Sequence, residues 1–192
     1  MIDGPLSEEQ SDCLNRLRAM TRRELILLFR PLAPPSMREF EGEYDSELLH
    51  QGSPTSDRIT RAIFGLGGPW TGKAFAPVSD TKGVGYNCFR NQGQATFKLP
   101  MQTEIAPSKL EHGRSLIINY AGMNRGLIRY LKGEVREVIP TVMLGFGTFG
   151  PKIGARDRWR RKIPFVMIGP RRAYQVTAFR MALKHECATV PS

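Results

Sequence analysis

Arg136 sits in an apolar run, Val135-Arg136-Glu137-Val138. An arginine inside a barrel or cleft can hold a carboxylate or enolate through paired N–H donors, given a fixed acidic partner. Glu43, Asp45 and Glu134 are the candidates for that partner. Glu41, Glu43, Asp45 and Glu47 recur with period two, so they share one face of a strand. Such a face normally meets solvent. Turned inward, mutual repulsion and burial would raise the carboxyl pKa values and let one act as acid or base. Tyr86 and Tyr120 could supply phenolic donors, and Lys73 an electrostatic contact at a cavity mouth. Arg136, Glu43, Asp45 and Tyr120 would then suffice for a cofactor-free cyclisation, isomerisation, decarboxylation or dehydration of an enclosed apolar substrate. A carrier would look the same. Its expected binding set is Tyr44, Trp70, Lys73, Tyr86, Phe97, Tyr120, Arg136 and Phe146. Two alternatives stand beside this: aromatics also build cores, and Arg136 on an alternating strand can point outward.

Other chemistries fail on local context. GGPWTGKA, from Gly67, nearly matches a phosphate loop. Ala74 has no hydroxyl for a metal, and Pro77 would break the helix such a loop must open. No G-x-S-x-G occurs. Cys13, Cys88 and Cys187, and His50, His112 and His185, are too scattered for a disulfide framework or a zinc site. His185-Glu186-Cys187 is adjacent only in sequence, whereas nucleophilic pairs meet in space. No metal and no cofactor are expected.

The elements that must position these residues read as helices followed by strands. Ser7-Glu8-Glu9-Gln10 and Thr21-Arg22-Arg23-Glu24 both have capping-box form and lead into leucines at helical spacing. Pro31, Pro34 and Pro35 end that region. An amphipathic helix that plugs or flanks a barrel is expected. Residues 37–49 fit a helical stripe as well as a strand; Gly42 and the alternation favour the strand. Beyond Trp70 come strands over 84–90, 94–105, 115–121, 134–146 and 163–168, with a hairpin at Asn91-Gln92-Gly93. Pro100 implies an edge or a bulge. Residues 123–132 form a crossing with a helical turn or a lid, and 173–181 a last strand or closing helix. The fold class is mainly β: an antiparallel up-and-down barrel with an N-terminal helical segment. The expected organisation is a helical appendage over 1–35, a barrel over 36–183 and a loose tail over 184–192.

The net charge is +10, unevenly placed. Residues 152–172 carry eight basic side chains, Lys152, Arg156, Arg158, Arg160, Arg161, Lys162, Arg171 and Arg172, against Asp157. With Trp159 able to stack on a base, this segment supplies a further reading, a polyanion- or membrane-surface-binding module. Nucleic acid is disfavoured, because a charge run more often marks a solvated hairpin. Arg16, Arg18, Arg22, Arg23 and Arg30 among the leucines leave room for peripheral membrane contact. No apolar run reaches the roughly 20 residues of a membrane span. Met1-Ile2-Asp3-Gly4-Pro5 has no signal-like start, so a reduced, cytoplasmic location is expected.

Gly68-Pro69-Trp70-Thr71-Gly72 has the form G-x-W-x-G. It resembles the opening of lipocalin-like (calycin) barrels, among them the uncharacterised bacterial GXWXG-type proteins and, more distantly, haem-binding nitrobindins. Lys132-Gly133-Glu134-Val135-Arg136-Glu137-Val138 with Val142-Met143-Leu144-Gly145 looks like late strands of the first group. The resemblance spans roughly half of the chain. It implies a small barrel enclosing one hydrophobic molecule, lipid-like, terpenoid or polyketide-like, with binding or carriage ahead of catalysis. The late position of the motif departs from the extracellular carriers. A haem role would need an axial histidine near the end of the chain, where His185 is the one candidate, in a polar stretch.

Overall fold

The computed structural model describes residues 4–52, 58, 68–149 and 162–188. Eight strands form one closed barrel: β1 (Gly42–Leu48), β2 (Trp70–Pro77), β3 (Lys82–Asn91), β4 (Gln94–Pro107), β5 (Arg114–Asn119), β6 (Lys132–Ile139), β7 (Val142–Thr148) and β8 (Ile163–Arg172). Each pairs antiparallel with the next, and β8 closes on β1. Helices α1 (Glu8–Ala19) and α2 (Arg22–Phe29) precede the barrel, a 3₁₀ turn (Gly126–Tyr130) crosses from β5 to β6, and α3 (Val176–Ala188) follows. The fold is thus a mainly β, up-and-down barrel with an N-terminal helical segment. Among the described residues, no helix is long and apolar enough to cross a membrane.

Both expected capping boxes are present. The Ser7 and Thr21 hydroxyls accept from the backbone N–H of Gln10 and Glu24, whose side chains answer to the cap N–H groups. These bonds satisfy donors that a helix start leaves open. The apolar stripe of the pair (Cys13, Leu14, Leu17, Leu25, Phe29) then packs on the outer face of β7 and β8, against Val142, Leu144, Phe146, Val166 and Ile168. The helices therefore flank the barrel, with Leu14, Leu17 and Leu25 covered by strands while Leu27 stays exposed. At roughly 1.5–3 kcal/mol for each large apolar side chain buried, this docking is a substantial part of the fold. The plug at one end is the turn before β1. Phe40 packs 4.7 Å from Tyr44 and 4.6 Å from Phe75 between ring centroids, with Met37 beside them.

Two local features reset the strand pattern. Gly85 pairs with Met101 but Asn87 pairs with Lys98, so Tyr86 faces two residues, Leu99 and Pro100. This is the bulge that Pro100 implied. Leu99 adopts φ +54°, and the extra residue reverses the phase of β4. The second feature divides the expected 134–146 strand. Pro140 offers no N–H and Thr141 takes φ +73°, giving a tight hairpin between β6 and β7. Gln10 of α1 donates to the Thr141 hydroxyl at 2.7 Å, tying the helix to that turn. The Gln92-Gly93 hairpin forms as read, with φ +47° and +84°. Helix α3 lays Ala178 and Ala182 against Ala74, Tyr86 and Cys88 on the outer wall. It runs past residue 184, where a loose tail was expected.

Candidate ligand-binding site

The G-x-W-x-G segment opens β2. Gly68 has φ +99°, and Gly72 lies so close to β1 that a Cβ there would stand 2.3 Å from the Tyr44 carbonyl oxygen. Between them Trp70 is directed into the barrel, edge-on to Phe165 at 6.0 Å. A register shift after Trp70 restores the alternation so that Lys73 and Phe75 also face inward while Ala74 lies outside.

Lys73 is 4 % exposed. Its Nζ donates to Asn87 Oδ1 at 2.6 Å and to Tyr120 Oη at 2.7 Å. Asn87 Nδ2 donates to Tyr120 Oη at 3.0 Å and to the Leu99 carbonyl at 3.1 Å, and Trp70 Nε1 donates to Asn87 Oδ1 at 3.1 Å. The ammonium also lies 5.0, 5.4 and 5.7 Å from the ring centroids of Trp70, Tyr120 and Phe165, within cation–π range. No ion pair among the described residues involves Lys73. Register explains this. Lys73 pairs with Tyr44 on one side and Asn87 on the other, while the neighbouring acids Glu43 and Asp45 point to the opposite face of β1. Tyr44 lies deeper, at the plugged end, where burial and the charge of Glu137 push its phenol well above the usual tyrosine range.

The expected binding set thus divides in two. Tyr44, Trp70, Lys73 and Tyr120 meet inside the barrel. Tyr86, Phe97, Arg136 and Phe146 do not join them; all four lie on the outer wall, under helices. Phe146 packs edge-on to Phe29 of α2 at 5.1 Å. Phe97, moved outward by the β4 bulge, meets Tyr86 at 5.3 Å under α3. Arg136 is fully buried beneath the end of α2. It donates to the Ser115 hydroxyl (2.9 Å), the carbonyls of Phe29 (2.9 Å) and Arg30 (2.7 Å), and the His112 carbonyl, with its guanidinium 4.5 Å from the Phe29 ring. It caps carbonyls that a helix end leaves open. Burial draws its pKa below the usual arginine range against the pull of Glu134 and Glu111. None of Glu43, Asp45 and Glu134 forms its pair.

Glu43 and Asp45 belong to another network on the outer wall. Arg172 donates to Glu43 (3.0 Å) and Asp45 (2.6 Å). Tyr86 Oη donates to Glu43 at 2.8 Å and accepts from the Gln175 N–H at 3.1 Å, which fixes the start of α3. Burial, then the bond to Glu43, hold the Tyr86 phenol far above its ordinary range. Burial opposes the charge of Arg172, but its two carboxylate partners raise its pKa. Arg171 and Arg172 of the basic 152–172 segment are therefore ion-paired. Lys162 pairs with Glu111. Positions 152–161, with Trp159, lie outside the described residues.

Two residues that touch the Lys73 cluster escaped sequence reading. Phe165 sits in Ile163-Pro164-Phe165-Val166-Met167-Ile168, where nothing distinguishes an inward aromatic from its neighbours. Asn87 left a signal: a carboxamide between Tyr86 and Cys88-Phe89, in the middle of a strand whose other polar residues lie at its ends. A buried amide needs partners, and Asn87 has them in Trp70, Lys73 and Tyr120.

A closed eight-stranded antiparallel barrel with an inward polar cluster fits a calycin-like fold. No family model matches the sequence, and no curated protein matches it. A solved structure described as a protein from Thermomonospora curvata is similar, at 14% identity and a TM-score of 0.53, over 84% of this chain and 95% of that one. At that identity the likeness shows the fold alone.

Proposed function

We propose that this protein binds a small, largely apolar molecule inside the barrel, with the molecule's polar end at Lys73, Asn87 and Tyr120. The carrying observation is Lys73 itself, a buried amine held by neutral partners within an aromatic wall. A charge removed from water without a counter-ion is costly. A ligand that supplies the missing polar contact recovers part of that cost. Phe165, Met143, Met167 and Leu116 make the surroundings of that cluster apolar, as such a molecule needs. Carriage is the first reading, and the likeness of Gly68–Gly72 to GXWXG-type barrels agrees with it.

Titration with the neutral probe Nile red, together with native mass spectrometry of protein taken from its own cells, tests the reading. Saturable 1:1 uptake that weakens in Trp70→Ala is expected. No saturable uptake and no co-purified molecule would overturn it. A second reading, cofactor-free catalysis, is favoured by the 2.7 Å contact between Lys73 and Tyr120, which puts a proton donor beside a cation. Conversion of the retained molecule on incubation would select it. Stoichiometric binding without turnover would leave carriage.

A further inference from the structure

We infer that the enclosed molecule is an acid, whose anionic oxygen is held by Lys73 Nζ and Tyr120 Oη together. This rests on the reading that the barrel takes an apolar ligand.

The hydrogen-bond count carries the argument. An ammonium has three N–H donors. Asn87 Oδ1 and Tyr120 Oη take two, leaving one. Tyr120 Oη already accepts from both Lys73 and Asn87 Nδ2, and its own O–H has Asn87 Oδ1 as its acceptor. Asn87 Oδ1 is a poor one, at 3.4 Å and already accepting from Lys73 and Trp70. The remaining N–H of Lys73 and the weakly held O–H of Tyr120, on atoms 2.7 Å apart, can thus turn to one external oxygen. The charge points the same way. Three ring faces lie within cation–π range of Lys73 Nζ, and no described carboxylate pairs with it. Strand alternation turns the nearest acids, Glu43 and Asp45, through the wall to Arg172. A neutral alcohol would meet the donors but not the charge. A quaternary ammonium would meet neither. A carboxylate on an apolar body meets both.

The test uses the full chain carrying Trp159→Phe, so that Trp70, whose ring lies 5.0 Å from Lys73, is the one indole reporting. Decanoate, 1-decanol and decyltrimethylammonium are titrated in parallel. Decanoate is expected to bind about 10- to 100-fold more tightly than decanol, the factor that one charge-assisted hydrogen bond supplies. Lys73→Met should abolish that preference, so that decanoate binds the variant no more tightly than decanol does. Equal affinity for decanoate and decanol, or preference for the cation, overturns the inference and leaves apolar binding standing. Failure of all three probes, with Nile red also excluded, removes the underlying reading as well. Should Lys73→Met not fold, [1-¹³C]decanoate bound to the unmutated lysine decides. A carboxyl titration midpoint lowered by about one unit or more supports the pairing, and an unchanged or raised midpoint refutes it.

Discussion

Replacing Arg136 by methionine should destabilise the protein and leave the barrel interior able to bind. Methionine keeps much of the aliphatic volume, so the cost lies in the acceptors left behind. The Ser115 hydroxyl and Phe29 carbonyl contacts are buried, whereas those to the Arg30 and His112 carbonyls are half-buried and open to rehydration. Two buried acceptors losing their donor cost about 1–3 kcal/mol each. The stacked Phe29 face adds about 1 kcal/mol. Against this, the variant no longer buries a guanidinium whose desolvation already pulls its pKa down. A net loss of about 2–5 kcal/mol follows. For a chain of 192 residues, at about 2–4 °C per kcal/mol, Tm should fall by about 4–20 °C. Thermal melts followed by circular dichroism give the first quantity. Nile red titration, at a temperature where both proteins are folded, gives the second. A Tm within about 2 °C of the parent together with lost probe binding would refute the outer-wall placement and return Arg136 to the interior as a ligand contact.

Gly72→Ala should be more damaging than its single methyl suggests. The new Cβ meets a backbone oxygen at 2.3 Å, which can yield only by parting β1 from β2. A loss of about 3 kcal/mol or more in urea denaturation is expected, and an unchanged midpoint would disprove this register. Alkaline pH should also unfold the protein. Burial raises the pKa values of Tyr44 and Tyr86, pushes Tyr174 up to about 12 and Cys88 up to about 12. Above the ordinary values the unfolded chain loses these protons while the folded chain keeps them, so stability falls as pH rises. The contribution of these four groups should be level below pH about 9 and decline between pH about 9 and 12. The phenolate absorbance of these tyrosines should appear together with loss of structure. Phenolate absorbance reaching its full value while the dichroism stays native would count against their burial.

Several of these features were legible beforehand because they depend on neighbours in sequence. The two capping boxes, the Gln92-Gly93 turn and the Pro100 bulge each follow from one residue's donor count or its accessible φ. The barrel itself followed from the rhythm of short alternating strands after a helical start. The division of the candidate site did not. In a barrel with a bare exterior, polarity alone would separate the two faces of a strand. Here α1 and α2 cover β7 and β8, and α3 covers part of β2, β3 and β4. Phe146 and Tyr86 are therefore as buried as Tyr44 and Tyr120. Phe97 was misplaced for a separate reason, since one extra residue in β4 exchanges its two faces.

Sequence alone determined the helical start, the place and antiparallel sense of most strands, and the presence of a tryptophan-bearing glycine entry. Those depend on caps, turns and period. Tertiary structure decided that Arg136 fastens a helix while Lys73 is the charge inside. Both are basic residues on apolar strands, and only closure of the barrel and docking of the helices assign each strand face to wall or lumen.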